Sequence, residues 1–207
     1  MDKLQIIQQA QQVTNGFKVI QNLARMLREE TTTLETEKLA LEFYQHPAYQ
    51  VRTLAVFLMG SLAAQKPALL AYLKDTVSAD EDWRVQEILA MAFDQYCKDS
   101  GYEKALPVIK TWLKDERPNV RRSVTEGLRI WTSRPYFSNH PETAISLLAG
   151  LHQDESNYVR KSVGNALRDI SKKHPKLVID EVLMWDKTDK HTQQVIKLIT
   201  KNGLIIE

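Results

Sequence analysis

Trp83 and Glu87 stand four residues apart, the spacing that puts two side chains on one face of a helix. A carboxylate beside an indole ring can hold and polarise a cation, whether a charged base or a sugar with developing positive charge. Basic residues crowd the same register: Arg84 lies between the two, and the pairs Arg121-Arg122 and Arg160-Lys161 recur further on. A track of such cations suits a phosphate backbone, with an affinity that falls steeply as salt rises. Other chemistries find less support. Cys97 stands alone, which excludes an internal disulfide and a thiolate metal cage, and its neighbours Phe93 and Tyr96 suggest the buried side of a helix. The five histidines are scattered without partners at metal-ligand spacing, and His46, His140 and His174 each precede a proline, as turn residues do. No metal and no cofactor is expected. A net charge of +2 is too small to argue for nucleic acid by itself, so the placement of charge must carry that argument.

The elements that position these residues are repeats. Four segments align without gaps on Val51, Val85, Val120 and Val159, at separations of 34, 35 and 39 residues, the range of two-helix repeats. The longest interval holds an insertion near Arg134–Pro141. Each valine opens an amphipathic helix, with Val120, Val124, Leu128 and Trp131 on one stripe and Val159, Val163, Leu167 and Ile170 on another. A polar turn then leads to a second helix, expected at Pro67–Thr76, Tyr102–Lys114, Pro141–His152 and Pro175–Trp185, where proline at a helix start costs little. With 43% hydrophobic residues, 26% charged residues and only 7 Gly and 7 Pro, the composition favours helices over a β-rich fold. The expected fold class is all-α, a right-handed α-α solenoid of HEAT-like repeats with one basic concave face.

One domain over residues 1–207 is expected: amino-terminal capping helices in 1–46, four helix pairs in 47–187 and a carboxy-terminal capping helix in 188–207. The first cap reads as a long amphipathic segment, Leu4–Glu30, followed by Thr33–Gln45, where Thr31-Thr32-Thr33 followed by Glu35 resembles a capping-box start. No apolar run approaches the roughly 18 residues that span a bilayer, and the first residues lack the features of a signal peptide. The expectation is a cytoplasmic monomer without membrane partners.

Equivalent positions of successive repeats should form ladders. The residue after each valine is Arg52, Gln86, Arg121 or Arg160, and the next is Thr53, Glu87, Arg122 or Lys161. Two readings of these cations stand side by side: contacts to phosphate, or pairs with acids of a neighbouring repeat such as Asp82, Glu87, Glu126 or Asp169. Aromatic residues just ahead of the valine, Tyr49, Trp83 and Tyr158, could stack on a ligand or pack between repeats.

The segments Trp83-Arg84-Val85-Gln86-Glu87, Asn119-Val120-Arg121-Arg122-Ser123-Val124 and Val163-Gly164-Asn165-Ala166-Leu167-Arg168-Asp169 together resemble the bacterial DNA alkylation repair (AlkD-type) HEAT-like proteins. The resemblance covers most of the chain and is most specific at the double arginine and the last stretch. It implies a DNA glycosylase that removes cationic N3- and N7-alkylated purines while cupping the duplex, without drawing the base into a pocket. It places the family's aromatic–x–x–x–Asp element on Trp83 and Glu87 and its cleft arginine on Arg122 with Arg121 as alternative. Beside the resemblance, the ladder cations Arg84, Arg160 and Lys161, together with Asn165, are further candidate DNA contacts. Three departures accompany it. Glu87 replaces Asp, and a carboxylate displaced by a methylene can cost about a hundredfold in rate. Asn165 stands where a second cleft Trp is expected. No aromatic–Pro–aromatic–Gly run occurs between Met1 and His46, so the sequence reads as a shortened relative. Three functions follow: a DNA-associated protein with weak or lost base excision, a working alkylpurine glycosylase, or a protein-interaction scaffold.

Overall fold

The computed structural model describes residues 2–205; Met1, at the head of the expected amino-terminal cap, and Ile206 and Glu207, at the tail of the carboxy-terminal one, lie outside the described residues. Among the described residues there are thirteen α-helices, three short 3-10 turns and no strand. The chain divides after Ser100 into two compact units.

The first unit is built around α4 (Tyr49–Leu62), on which α1 (Lys3–Gln11), α2 (Lys18–Glu30), α3 (Thr33–Tyr44), α5 (Pro67–Asp75) and α6 (Trp83–Ser100) all pack. A helix with neighbours on so many sides must be apolar nearly all round, and Val51, Leu54, Ala55, Leu58, Met59 and Leu62 are fully buried. The backbones of α4 and α6 approach so closely that a Cβ on Gly60 would lie 2.7 Å from the Cα of Ala92. Thr32 caps α3 with a complete capping box, its side chain accepting from the Glu35 amide while Glu35 accepts from the Thr32 amide at 2.8 Å.

The expected single segment Leu4–Glu30 is two helices. Gly16, in the left-handed region at φ +72°, breaks it, and the turn lets both α1 and α2 bury an apolar face on the same core. Gln50 of α4 reaches the break, donating to the carbonyls of Gln11 and Val13.

The second unit holds α7 (Tyr102–Trp112), α8 (Pro118–Gly127), α9 (Pro135–Asn139), α10 (Pro141–Ala149), α11 (Asn157–Ser171), α12 (Pro175–Leu183) and α13 (Lys190–Ile199). Here α11 is the core helix, packed on α8, α10, α12 and α13. Gly164 explains how α13 comes so near: a Cβ there would meet the Leu198 side chain at 2.7 Å and the Val195 carbonyl at 3.3 Å. The second helices begin where expected, with prolines at the first turns of α5, α10 and α12, and each ends one to three residues early.

The stripe expected to run from Val120 to Trp131 is cut short. Helix α8 stops at Gly127, and Ile130 takes left-handed dihedrals, φ 49° and ψ 59°, a conformation that costs a β-branched residue about 1–3 kcal/mol. The kink drops Trp131 off the helix into a 3-10 turn, where it is fully buried against Phe137 of α9 with ring centroids 4.9 Å apart. The inserted residues thus build a short helix that covers Trp131. Cys97, Trp112 and Trp185 are likewise buried.

Candidate nucleic-acid interface

The residue after each anchoring valine points back at the turn that precedes its own helix. Arg52 Nη1 donates to the carbonyls of His46 and Pro47, Gln86 Nε2 to that of Asp80, Arg121 Nη1 to those of Asp115 and Glu116, and Arg160 Nη1 to those of Asp154 and Glu155. The acceptors lie five and six residues before each arginine and six before Gln86, in the turn ahead of the helix. The rest of each guanidinium reaches forward: Arg52 holds both oxygens of Asp80 in the next turn at 2.9 and 3.0 Å, Arg121 both oxygens of Asp154 at 2.6 and 2.8 Å, and Arg160 the side-chain Oε1 of Gln194 on α13 at 2.9 Å. Asp80 and Asp154 in turn accept from the amides two residues on, Asp82 and Ser156. The side chains of Arg52 and Arg121 keep only 12% of their surface exposed. Arg52 and Arg121 are therefore struts between successive turns, and Arg160 ties its own turn to α13.

The ladder arginines Arg52 and Arg121 do pair with acids, but with acids other than the expected Asp82, Glu87, Glu126 and Asp169. The strut acids, Asp80 and Asp154, sit in the turns, six residues ahead of the next repeat's strut position. The acids inside or at the start of helices serve other cations: Asp82 holds Arg84 at 2.7–2.9 Å, and Asp169 is shared by Arg129 and Lys172 at 3.3 and 2.7 Å. The signal was present as the recurrent acid at Asp80, Asp115 and Asp154.

The following ladder position differs between the units. Thr53 is buried within the first unit, Glu87 and Arg122 are half-buried and Lys161 is exposed. On α6, Trp83, Glu87 and Met91 follow at intervals of four residues, with the Trp83 ring 66% exposed. Arg84 turns away from this line; its guanidinium lies over the Tyr49 ring at 3.5 Å and is paired with Asp82, whose carboxyl is held below its usual range by that hydrogen bond. On α11, Tyr158, Lys161, Asn165, Arg168 and Lys172 follow at intervals of three and four. Tyr158 is strongly exposed, with the Lys161 ammonium 5.8 Å from its ring centre, and Asn165 is half-buried in the middle of the line. Arg122 and Glu126 lie four residues apart on α8, which packs against α11, and Arg129 follows just past its end. At its far end the acids lie beneath and the cations outside: the side chains of Asp169 and Glu126 are 8% and 18% exposed, those of Arg129 and Lys172 40% and 59%. Within the second unit, Arg122 and Lys161 thus hold equivalent positions on two packed helices and Asn165 lies one turn on from Lys161, while Arg121 and Arg160 are engaged as struts. Trp83 and Glu87 share a line on the first unit.

Among the described residues no group of three or more His, Cys, Asp or Glu is placed to hold a metal ion, and no helix is long and apolar enough to cross a membrane.

Helix pairs that recur on Val51, Val85, Val120 and Val159 define an α-α repeat protein, and the comparisons agree with that class. Residues 13–201 match the family model described as DNA alkylation repair enzyme, and the chain belongs to that family. It is similar to AlkD2 from Streptococcus mutans, with 47% identity, a TM-score of 0.93, and coverage of 97% of this chain and 98% of that one. AlkC from Pseudomonas fluorescens, an alkylpurine DNA glycosylase solved bound to DNA containing an abasic site analog, shares the fold at 23% identity and a TM-score of 0.51, over 96% of this chain and 60% of that one. A curated relative, the uncharacterized protein YhaZ of Bacillus subtilis (strain 168), is 40% identical over 99 residues; the match spans 46% of this chain and 28% of that protein.

Proposed function

We propose that the protein associates with duplex DNA through the cationic surface of α8 and α11 and performs little or no base excision. The observation that carries this reading is the line Tyr158–Lys161–Asn165–Arg168–Lys172, which combines an exposed ring with cations at helical spacing. A ring that stacks and ammonium groups that neutralise phosphates are what a nucleic-acid strand requires. Weak excision is supported by the same line, because its centre is Asn165, a side chain that cannot wall a cationic purine as an indole can.

A second reading, an active alkylpurine glycosylase, is favoured by Trp83 and Glu87. The indole is open, and a carboxylate one turn away could stabilise the sugar cation that forms as an alkylated base departs. One experiment separates the two. The protein and its Glu87→Ala variant are incubated with a duplex containing N7-methylguanine, and free base is followed over time while binding is read by fluorescence anisotropy at several salt concentrations. Salt-sensitive binding without release above the spontaneous rate supports the first reading. Release that disappears in the variant replaces it with the second, and absence of binding at low salt overturns both.

A further inference from the structure

We propose that Ile130 is an apolar wedge that enters the base stack of bound duplex DNA at a weakly stacked step. This inference rests on the reading that the protein binds DNA. Ile130 is, among the described residues, the one non-glycine residue with positive φ, and β-branched side chains are the least suited to that region; Asn or Gly would adopt it without strain. The strained residue is not there to fill the core, since it remains 50% exposed while its neighbour Trp131 is completely buried. An apolar side chain held out to solvent at a strained position points to a ligand contact.

Its surroundings fit a nucleic acid. Ile130 leaves α8 directly after Arg129, which reaches Asp169 of α11, and that acid is also held by Lys172 at the end of the exposed line of α11. Arg134 lies four residues on, donating to the Gly127 carbonyl. An isoleucine that directly follows Arg129 and stands four residues before Arg134 can meet bases while these cations meet the flanking phosphates, as inserted apolar side chains do in proteins that unstack a base step. The insertion that lengthens the third repeat interval also begins here, and insertions in solenoids often serve the binding face.

The test compares anisotropy titrations of a matched duplex and of the same duplex with one central mismatch, using wild type, Ile130→Asn and Ile130→Val. Wild type and Ile130→Val should prefer the mismatched duplex about tenfold, because its unstacking cost is lower. Ile130→Asn should bind both duplexes alike while melting at the same or a higher temperature, since Asn suits the left-handed backbone. Equal binding of both duplexes by wild type, or a preference retained by Ile130→Asn, overturns the wedge and leaves DNA binding standing. Failure of wild type to bind either duplex overturns the DNA reading and the wedge with it.

Discussion

Arg121 closes on Asp154 with two parallel hydrogen bonds while its third nitrogen holds the carbonyls of Asp115 and Glu116, so one guanidinium joins the turns before α8 and α11. Removing one member of a pair so buried leaves the other charge unpaired, which is more damaging than the pair is stabilising. Arg121→Ala should therefore lower the free energy of unfolding by about 3 kcal/mol, read as an earlier denaturant midpoint. Lys161→Ala, on the exposed face of the neighbouring helix, should change stability by less than about 0.5 kcal/mol.

The two variants should exchange places in DNA binding. If Lys161 neutralises a phosphate, its loss reduces the slope of log affinity against log salt by about 1. The folded fraction of Arg121→Ala should keep the wild-type slope. The reverse result would move the phosphate contact from the outer cation to the strut.

This separation was only half legible in the sequence. The valine register, the proline-opened second helices and the Thr32 capping box follow from local chemistry, and the helices form where that chemistry puts them. Arg121 and Arg122 are neighbours in a double-basic motif, however, and nothing local says which is buried. That depends on the turn carbonyls six residues earlier and on an acid 33 residues later, which become neighbours only when repeats stack. The break at Gly16 and the kink at Ile130 were missed for a related reason. Apolar periodicity continues through both, and tertiary burial on α4 and over Trp131 overrides it.

Asp169 predicts the acid limb of stability. Burial works to raise its pKa, but hydrogen bonds from Lys172 and Arg129 outweigh it, and the carboxyl is held below its ordinary 3.8. A carboxyl with a depressed folded pKa adds stability above the unfolded value and loses it as pH falls through the folded one. Wild type should accordingly lose stability below about pH 4, and Asp169→Asn should show a shallower loss there while being less stable at neutral pH. Denaturant midpoints from pH 2.5 to 7 test this, and parallel curves for the two proteins would refute it.

Gly164 belongs to the stretch that most resembles the repair family, yet its contacts are structural. A Cβ at this position meets the Leu198 side chain at 2.7 Å, so Gly164→Ala should destabilise by about 1–3 kcal/mol through displacement of α13. Leu198→Ala removes the obstructing atoms beyond its own Cβ, and the double variant should therefore be more stable than the sum of the single changes implies. Strict additivity would place the obstruction at the Leu198 Cβ and the Val195 carbonyl, which the alanine leaves in place.

The excision chemistry is open to a gain-of-function test. Trp83 already presents an open ring, and the departures nearest to it in function are the longer carboxylate of Glu87 and the missing ring at Asn165. Glu87→Asp shortens the reach of the charge, and a repositioning of about an angstrom can be worth up to a hundredfold in rate. Asn165→Trp restores a cation-binding wall on the exposed line of α11. The double variant should release N7-methylguanine from duplex DNA faster than either single variant, with binding affinity changed little. If neither carboxylate length nor the second ring limits the reaction, the double variant will match wild type. That outcome would leave carboxylate length and the second ring without a part in setting the rate of excision.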